Sequence, residues 1–284
     1  MRLLTGKEVA EQVYQEIQVA METHKDLKPT LAVVLVGDDP ASVTYVSSKQ
    51  KMCAKLGFGH KDYHLPVTTC MEELLSLVSD LNADASVNGI LVQSPLPSGL
   101  DENRIIEAID PKKDVDGFHP VNVGRTLIGM PALVGCTPYG IVRMLRYYHI
   151  ETKGKRVVIL GRSNIVGKPL ASLLIQKGCD ATVTVCHSQT ADLPSVTREA
   201  DILISAVGKP GFVTKDMVRD GAVVIDVGIT RVADVSAKKG YRSVGDVDFD
   251  AVAPKCEAIT PVPGGVGVMT IAMLMYNTLM AALS

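Results

Sequence analysis

Tryptophan is absent from this chain, and aromatic residues together make up only 4% of it. A core without large rings must be filled by Val, Leu, Ile, Ala and Met. That suits parallel sheets buried on both faces, whose strands run as unbroken aliphatic segments. No stretch concentrates Lys or Arg, and the formal net charge is −2, so the basic stripe of a nucleic-acid binder is missing. No apolar run approaches the roughly 20 residues of a membrane span. The start, Met1-Arg2-Leu3-Leu4-Thr5-Gly6-Lys7, turns polar too early for an export signal. The six cysteines form no C-x-x-C pair and stand near no matching pair of histidines. Zinc frameworks and disulfide scaffolds are therefore not indicated, and scattered thiols fit a reducing compartment. The expectation is a cytoplasmic protein with no metal, membrane or nucleic-acid partner.

What is present is an α/β pattern of globular composition, 46% hydrophobic and 21% charged over 284 residues. That length accommodates two domains. Hydrophobic periodicity predicts strands at 31–36, 60–65 (the weaker signal) and 87–92, with helices at 40–56, 71–81 and 102–109 between and after them. Asp39-Pro40 supplies an N-cap and a first-turn proline for the second of these segments. Residues 110–124, rich in Asp, Pro and Gly, predict a loop. A second unit begins near Cys136-Thr137-Pro138, with helices at 139–148, 167–177 and 191–200 and strands at 156–160, 181–186, 202–206 and 222–227. A last helix is predicted over 267–283. Strict alternation of strand and helix implies parallel sheets joined by crossovers.

The clearest local signal is Val157-Val158-Ile159-Leu160-Gly161-Arg162-Ser163-Asn164-Ile165-Val166-Gly167. A strand enters a glycine turn and leaves it as a helix, the place where a Rossmann domain seats a pyrophosphate. The spacing G-x-S-x-x-x-G is weak alone and also suits an ordinary tight turn. An NAD site would carry Asp or Glu about 20 residues on, at the end of the next strand. Cys186-His187-Ser188 occupies that place instead, and Arg162 stands in the turn where a guanidinium can pair with a 2′-phosphate. Together these favour NADP. Small residues follow at Ser205-Ala206-Val207-Gly208 and at Asp226-Val227-Gly228-Ile229, where backbone can approach a flat ring.

The first unit holds the reactive candidates. Tyr45 and Lys49 lie four residues apart on one helix. Gln93 ends the strand Gly89-Ile90-Leu91-Val92, at the edge where α/β sheets bind ligands. Asp114-Val115-Asp116-Gly117 places two carboxylates in a loop.

At these residues the chain resembles the bifunctional methylenetetrahydrofolate dehydrogenase/cyclohydrolase family. The likeness rests on Val36-Gly37-Asp38-Asp39-Pro40-Ala41-Ser42 with Tyr45, Val46 and Lys49; on Gly89 to Gln93 with Pro95-Leu96-Pro97; on Lys113 to Gly117; on Gly161 to Pro169; and on Pro261-Val262-Pro263-Gly264-Gly265-Val266-Gly267. The chain departs from that pattern at Ser94, where leucine is usual, and at Val268, where proline is usual.

The resemblance implies a folate-binding catalytic domain over 1–135, completed by a C-terminal helix within 262–284, and a Rossmann-type NADP domain over 136–261. It implies Lys49 as the acid/base group, Gln93 as its hydrogen-bonding partner, Tyr45 stacked on the folate and Asp116 on the amino edge of the pterin. Pro263, Gly264 and Gly265 would complete the folate site. Gly161, Arg162, Ser163, His187, Ser188 and Ile229 would bind NADP. It further implies tetrahydrofolate derivatives as substrates and a homodimer. Two alternatives stay open from sequence: an enzyme of the same fold limited to the dehydrogenase step, and a non-catalytic NADP-binding regulator.

Overall fold

The computed structural model describes residues 1–234, 236 and 240–284. In chain order the elements begin with β1 (Arg2–Leu3), α1 (Gly6–Thr23), β2 (Thr30–Val36), α2 (Pro40–Leu56), β3 (Gly59–Leu65), α3 (Met71–Ala83), β4 (Gly89–Val92), α4 (Glu102–Ala108), α5 (Pro120–Leu127) and α6 (Cys136–Tyr147). They continue with β5 (Arg156–Leu160), α7 (Gly167–Leu174), β6 (Thr182–Cys186), α8 (Leu193–Arg198), β7 (Ile202–Ser205), β8 (Val223–Asp226), β9 (Thr230–Ala233), β10 (Tyr241–Val244), α9 (Phe249–Val252), β11 (Ala258–Ile259) and α10 (Val266–Ala282). Two compact units result, one from Gln12–Cys136 with Ile271–Ser284, the other from Met1–Glu11 with Thr137–Thr270.

The first unit is built on a parallel three-stranded sheet in the order β3-β2-β4. Its central strand β2 is buried at every residue, whereas edge strand β3 alternates half-buried with exposed positions. An aliphatic run in the middle and a polar alternation at the edge account for that order. Ala32, Val34, Leu74, Val78, Leu81, Ile90 and Ile105 form one core. Helix α2 starts where Asp39 Oδ2 accepts from the Ser42 N–H at 2.8 Å. It ends at Gly57, whose φ of +74° is the left-handed cap that glycine adopts without strain.

The stretch expected to be a loop is more ordered. Ile90 N–H donates to Lys113 O at 2.8 Å, so residues near Asp114 run alongside β4. Pro120–Leu127 then forms α5, because Pro120 presets its first turn and His119 Nδ1 accepts from the Val121 N–H at 3.1 Å. Gly6–Thr23, assigned no element from sequence, is an 18-residue helix that buries Val9, Val13 and Ile17.

The second unit carries a six-stranded sheet in the order β1-β11-β8-β7-β5-β6, parallel throughout. From β5 the chain moves to β6 on one side and returns to β7 on the other. The carboxyl ends of β5 and β7 therefore flank the topological switch point, where open α/β sheets bind ligands. The chain start groups here, and not with the first domain as its sequence position suggests, because β1 pairs with β11 through Arg2↔Ala258 and Leu3↔Ile259. An antiparallel pair, β9 with β10, stands outside the sheet.

Candidate active site

Lys49 occupies the buried stripe of α2, with Ser42, Val46, Cys53 and Leu56 at helical spacing. It is 7% exposed, so a charged side chain sits where the helix otherwise faces its core. Its Nζ donates to Gln93 Oε1 at 2.7 Å. Gln93 is fixed in turn: its Nε2 donates to Ser94 O at 2.6 Å and its backbone N–H to Val34 O at 2.8 Å. With the amide NH₂ engaged on a carbonyl, the amide oxygen is the atom that turns to the lysine. Tyr45, one turn before Lys49, is 41% exposed and lies off the buried stripe.

The two carboxylates of the 114–116 loop separate cleanly. Asp114 accepts from the Gly117 N–H at 3.1 Å, the His119 N–H at 2.8 Å and Asn122 Nδ2 at 2.9 Å, which commits it to holding the loop. Asp116 instead interacts with Lys49 and with the thiol of Cys136. Burial pushes the Asp116 carboxyl up to about 6; Lys49 opposes that rise, Asp114 adds to it and the thiol opposes it. Burial likewise pushes Lys49 below the ordinary lysine range, against the pull of Asp116 and Cys136. Asp116 also lines a small pocket with Ser94, Leu96, Ile105 and Phe118.

Two residues of this site escape a sequence reading. Asn277, 2% exposed in the apolar helix α10, donates from Nδ2 to Val115 O and to Val134 O, both at 2.8 Å. Those carbonyls flank the loop that carries Asp116. Cys136, at the start of α6, donates its thiol hydrogen to Val115 O at 3.3 Å, and burial raises its pKa well above the usual thiol value. A lone asparagine within α10 was the available signal for the first.

In the second unit the glycine turn has the shape its spacing implies. Gly161 has φ +111°, and a Cβ there would strike Ala206 O; a Cβ on Gly167 would strike Gly161 O. Both glycines thus let backbone pack closely at the switch point, the β5 turn against Ala206 and the helix start against Gly161, where any side chain would collide. Ser163 Oγ accepts from the Val166 N–H at 3.1 Å and the Gly167 N–H at 3.4 Å, which orders the start of α7. Arg162 and Ser188 are exposed, and Ile229 is 47% exposed. His187 Nδ1 accepts from the Gln189 N–H at 3.2 Å. Pro263, Gly264 and Gly265 fall in this unit, where Gly264 O accepts from the Gly6 N–H at 2.8 Å. No three His, Cys, Asp or Glu side chains among the described residues are grouped to hold a metal ion. No helix among them is long and apolar enough to cross a membrane.

A buried lysine with its glutamine and aspartate in one unit, and a dinucleotide-type turn in the other, match one family over both halves of the chain. Residues 4–116 match the model for the tetrahydrofolate dehydrogenase/cyclohydrolase catalytic domain, and residues 135–284 match the NAD(P)-binding domain of the same family. The chain belongs to the tetrahydrofolate dehydrogenase/cyclohydrolase family. Among its relatives, the bifunctional protein FolD of Phocaeicola vulgatus is 56% identical over 99% of this chain and 98% of its own length. The FolD protein of Salinibacter ruber is 54% identical, with 99% and 95% covered. A crystal structure of the bifunctional FolD dehydrogenase/cyclohydrolase from Campylobacter jejuni superposes with a TM-score of 0.93 at 46% identity, covering 100% of this chain and 99% of that one. The Trypanosoma brucei dehydrogenase-cyclohydrolase, solved with NADP and an inhibitor, gives 0.90 at 41% identity, with 98% and 94% covered.

Within this tetrahydrofolate dehydrogenase/cyclohydrolase member, the two departures noted from sequence have visible settings. Ser94 shares the Asp116 pocket, so a hydroxyl lines it where the family usually places leucine. Val268 N–H donates to Gly265 O at 3.3 Å, closing the first turn of α10 with a bond that proline would lack.

Proposed function

We propose that this chain oxidises 5,10-methylenetetrahydrofolate with NADP and hydrolyses the resulting 5,10-methenyltetrahydrofolate to 10-formyltetrahydrofolate. The observation that carries this is the 2.7 Å contact of the buried Lys49 amine with Gln93, in the same site as Asp116. NADP, when bound, supplies the hydride acceptor. The tight strand-to-helix turn at Gly161 and Gly167 suits its pyrophosphate, with Arg162 available to a 2′-phosphate and Ser163, His187, Ser188 and Ile229 completing the contacts.

Removing hydride from the methylene bridge leaves a methenyl cation, which is itself the electrophile. Water adds to that carbon while Lys49, in its neutral form, takes the water's proton. The adduct then opens by breaking the bond from carbon to one folate nitrogen, which takes up a proton and leaves the formyl group on the other. Gln93 holds the amine without adding charge. Asp116 anchors the pterin through its amino edge and Tyr45 stacks on the folate, and Pro263, Gly264 and Gly265 are further folate-binding candidates.

Incubation with methylenetetrahydrofolate and either NADP or NAD, followed by absorbance of reduced cofactor and of the methenyl species, tests the reading. NADP reduction with transient methenyl absorbance is expected; reduction with no decay of the methenyl signal above its spontaneous rate reduces the activity to the dehydrogenase step. A cytoplasmic homodimer completes the proposal, in line with the family resemblance and with six unpaired cysteines. Sedimentation at micromolar concentration checks the dimer.

A further inference from the structure

Two buried aspartates of the second unit take no part in the steps above. Asp226 ends β8 and is 4% exposed, and Asp246, just after β10, is fully buried. Each has a valine and a glycine close by in sequence: Asp226-Val227-Gly228 and Gly245-Asp246-Val247. Asp226 Oδ1 accepts from the N–H of Gly228 at 3.0 Å and of Asp246 at 2.9 Å, and Oδ2 accepts from the Val247 N–H at 2.9 Å. Asp246 Oδ2 accepts from the Val207 N–H at 2.7 Å and Ser205 Oγ at 3.1 Å, and Oδ1 from the Lys209 N–H at 2.9 Å. Each carboxylate also rests on the other's glycine, since a Cβ on Gly245 would collide with Asp226 and one on Gly228 with Asp246.

Two adjacent buried carboxylates are a costly way to join loops, and apolar packing would serve stability better. Burial pushes the Asp226 carboxyl up to about 6, against the backbone N–H groups that hold its ionised form, while Asp246 adds to the rise. The pair's position accounts for that cost. Residues 206–209 follow β7 and residues 227–229 follow β8, and Gly161 packs on Ala206 at the switch point. A dinucleotide with its pyrophosphate on the glycine turn directs its adenosine toward the end of β6, so its nicotinamide half passes over the ends of β7 and β8.

We infer that Asp226 and Asp246 form a reciprocal clamp that positions the 206–209 and 227–229 loops against the nicotinamide half of NADP. They are positioning residues, and their role rests on NADP binding at the glycine turn. Asp246→Asn keeps the volume but replaces one acceptor oxygen with a donor, and Ser205→Ala removes one donor while keeping both carboxylates. In Asp246→Asn the KM for NADP and the calorimetric Kd rise roughly tenfold, the scale of a lost hydrogen bond to a charged group. Hydrolysis of methenyltetrahydrofolate supplied without NADP stays within about twofold of native in the same variant, given clamp and lysine site in different units. Ser205→Ala raises the same Kd by roughly twofold to threefold and decides the matter should the first variant not fold. A lowered Tm with native NADP affinity overturns the clamp and leaves a purely structural pair. Because calorimetric binding needs no turnover, a failure of the clamp is distinguishable from a failure of the proposed activity, which would show in the native protein.

Discussion

Lys49 is asked to do what an ordinary lysine cannot. With a pKa near ~10.4, well under about 1% of it would be neutral at pH 7. Burial lowers that value, and Asp116 and Cys136 pull the other way, so the neutral fraction grows as pH rises through the lowered pKa. Lys49→Met is expected to abolish hydrolysis of methenyltetrahydrofolate supplied directly, with NADP binding intact. Lys49→Arg should fail nearly as badly, because a guanidinium does not give up its proton. Decay of the methenyl absorbance at the native rate in either variant removes the proton-transfer role. Asp116 carries the opposite balance. Its folded pKa of about 6 lies above the ordinary 3.8, so ionisation destabilises the fold above about pH 6, and that penalty is relieved as pH falls toward 4. Asp116→Asn should therefore raise Tm at pH 7.5, by an amount corresponding to at most about 3 kcal/mol in stability, while folate binding falls steeply and NADP binding persists. Calorimetric titrations with each ligand and a melting curve at two pH values check all three outcomes.

At the level of elements, the loop that carries Asp116 is held at both ends. Upstream, Lys113 Nζ donates to Leu81 O at 3.0 Å and to Asn82 O and Asp84 O at 2.8 Å each. The last carbonyls of α3 and its cap thus receive a cation where the helix dipole favours one. Lys113 belongs to the family motif next to the carboxylates, yet its hydrogen bonds go to a helix end. Lys113→Met is expected to cost about 1–3 kcal/mol of stability by leaving those carbonyls without their charged donor. Hydrolytic turnover at a temperature well below the transition should stay near native; a loss of turnover without a loss of Tm would move Lys113 into the substrate site. On the far side, Asn277 fixes Val115 and Val134, so helix α10 sets the loop from below.

For the whole molecule, the decisive feature is that each compact unit is assembled from two separated stretches of chain. Residues 271–284 bring Met273, Leu274, Met275 and Leu279, all at most 2% exposed, into the unit that holds Lys49. Burying such side chains is worth roughly 1.5–3 kcal/mol each, so the four together rival the 5–15 kcal/mol that typically stabilises a domain. A chain ended at Thr270 is expected to lose folate binding and the slow amide exchange of β2. Native-like exchange protection in that strand would show that the unit holds together without α10.

Much of this was determined by the sequence alone. Aliphatic runs located the central strands β2, β5, β7 and β8, because burial on both faces leaves no other composition for a central parallel strand, while edge strand β3 showed only a weaker, polar alternation. Asp39-Pro40 and the Gly161 turn were legible because caps and positive φ values are demands of the local backbone. Gln93 and Asp116 stood out as polar residues after an apolar run and in a glycine-bounded loop, whereas Lys49, between Ser48 and Gln50, was singled out by the family resemblance. What tertiary structure decided depends on distance along the chain. Asp114 and Asp116 are equivalent as letters, and only the N–H groups of Gly117 and His119 and the amide of Asn122 make one structural and leave the other to face Lys49. Asn277 reaches Val115 across 162 positions. The short strands β1 and β11 have too few residues to show a period, and they form only because each finds a partner edge. Asp226-Val227-Gly228 reads as small residues at a strand end, and only folding seats its carboxylate and that of Asp246 each on the other's glycine. Local backbone preference is written residue by residue, but the partner that satisfies a buried charge is chosen by the fold.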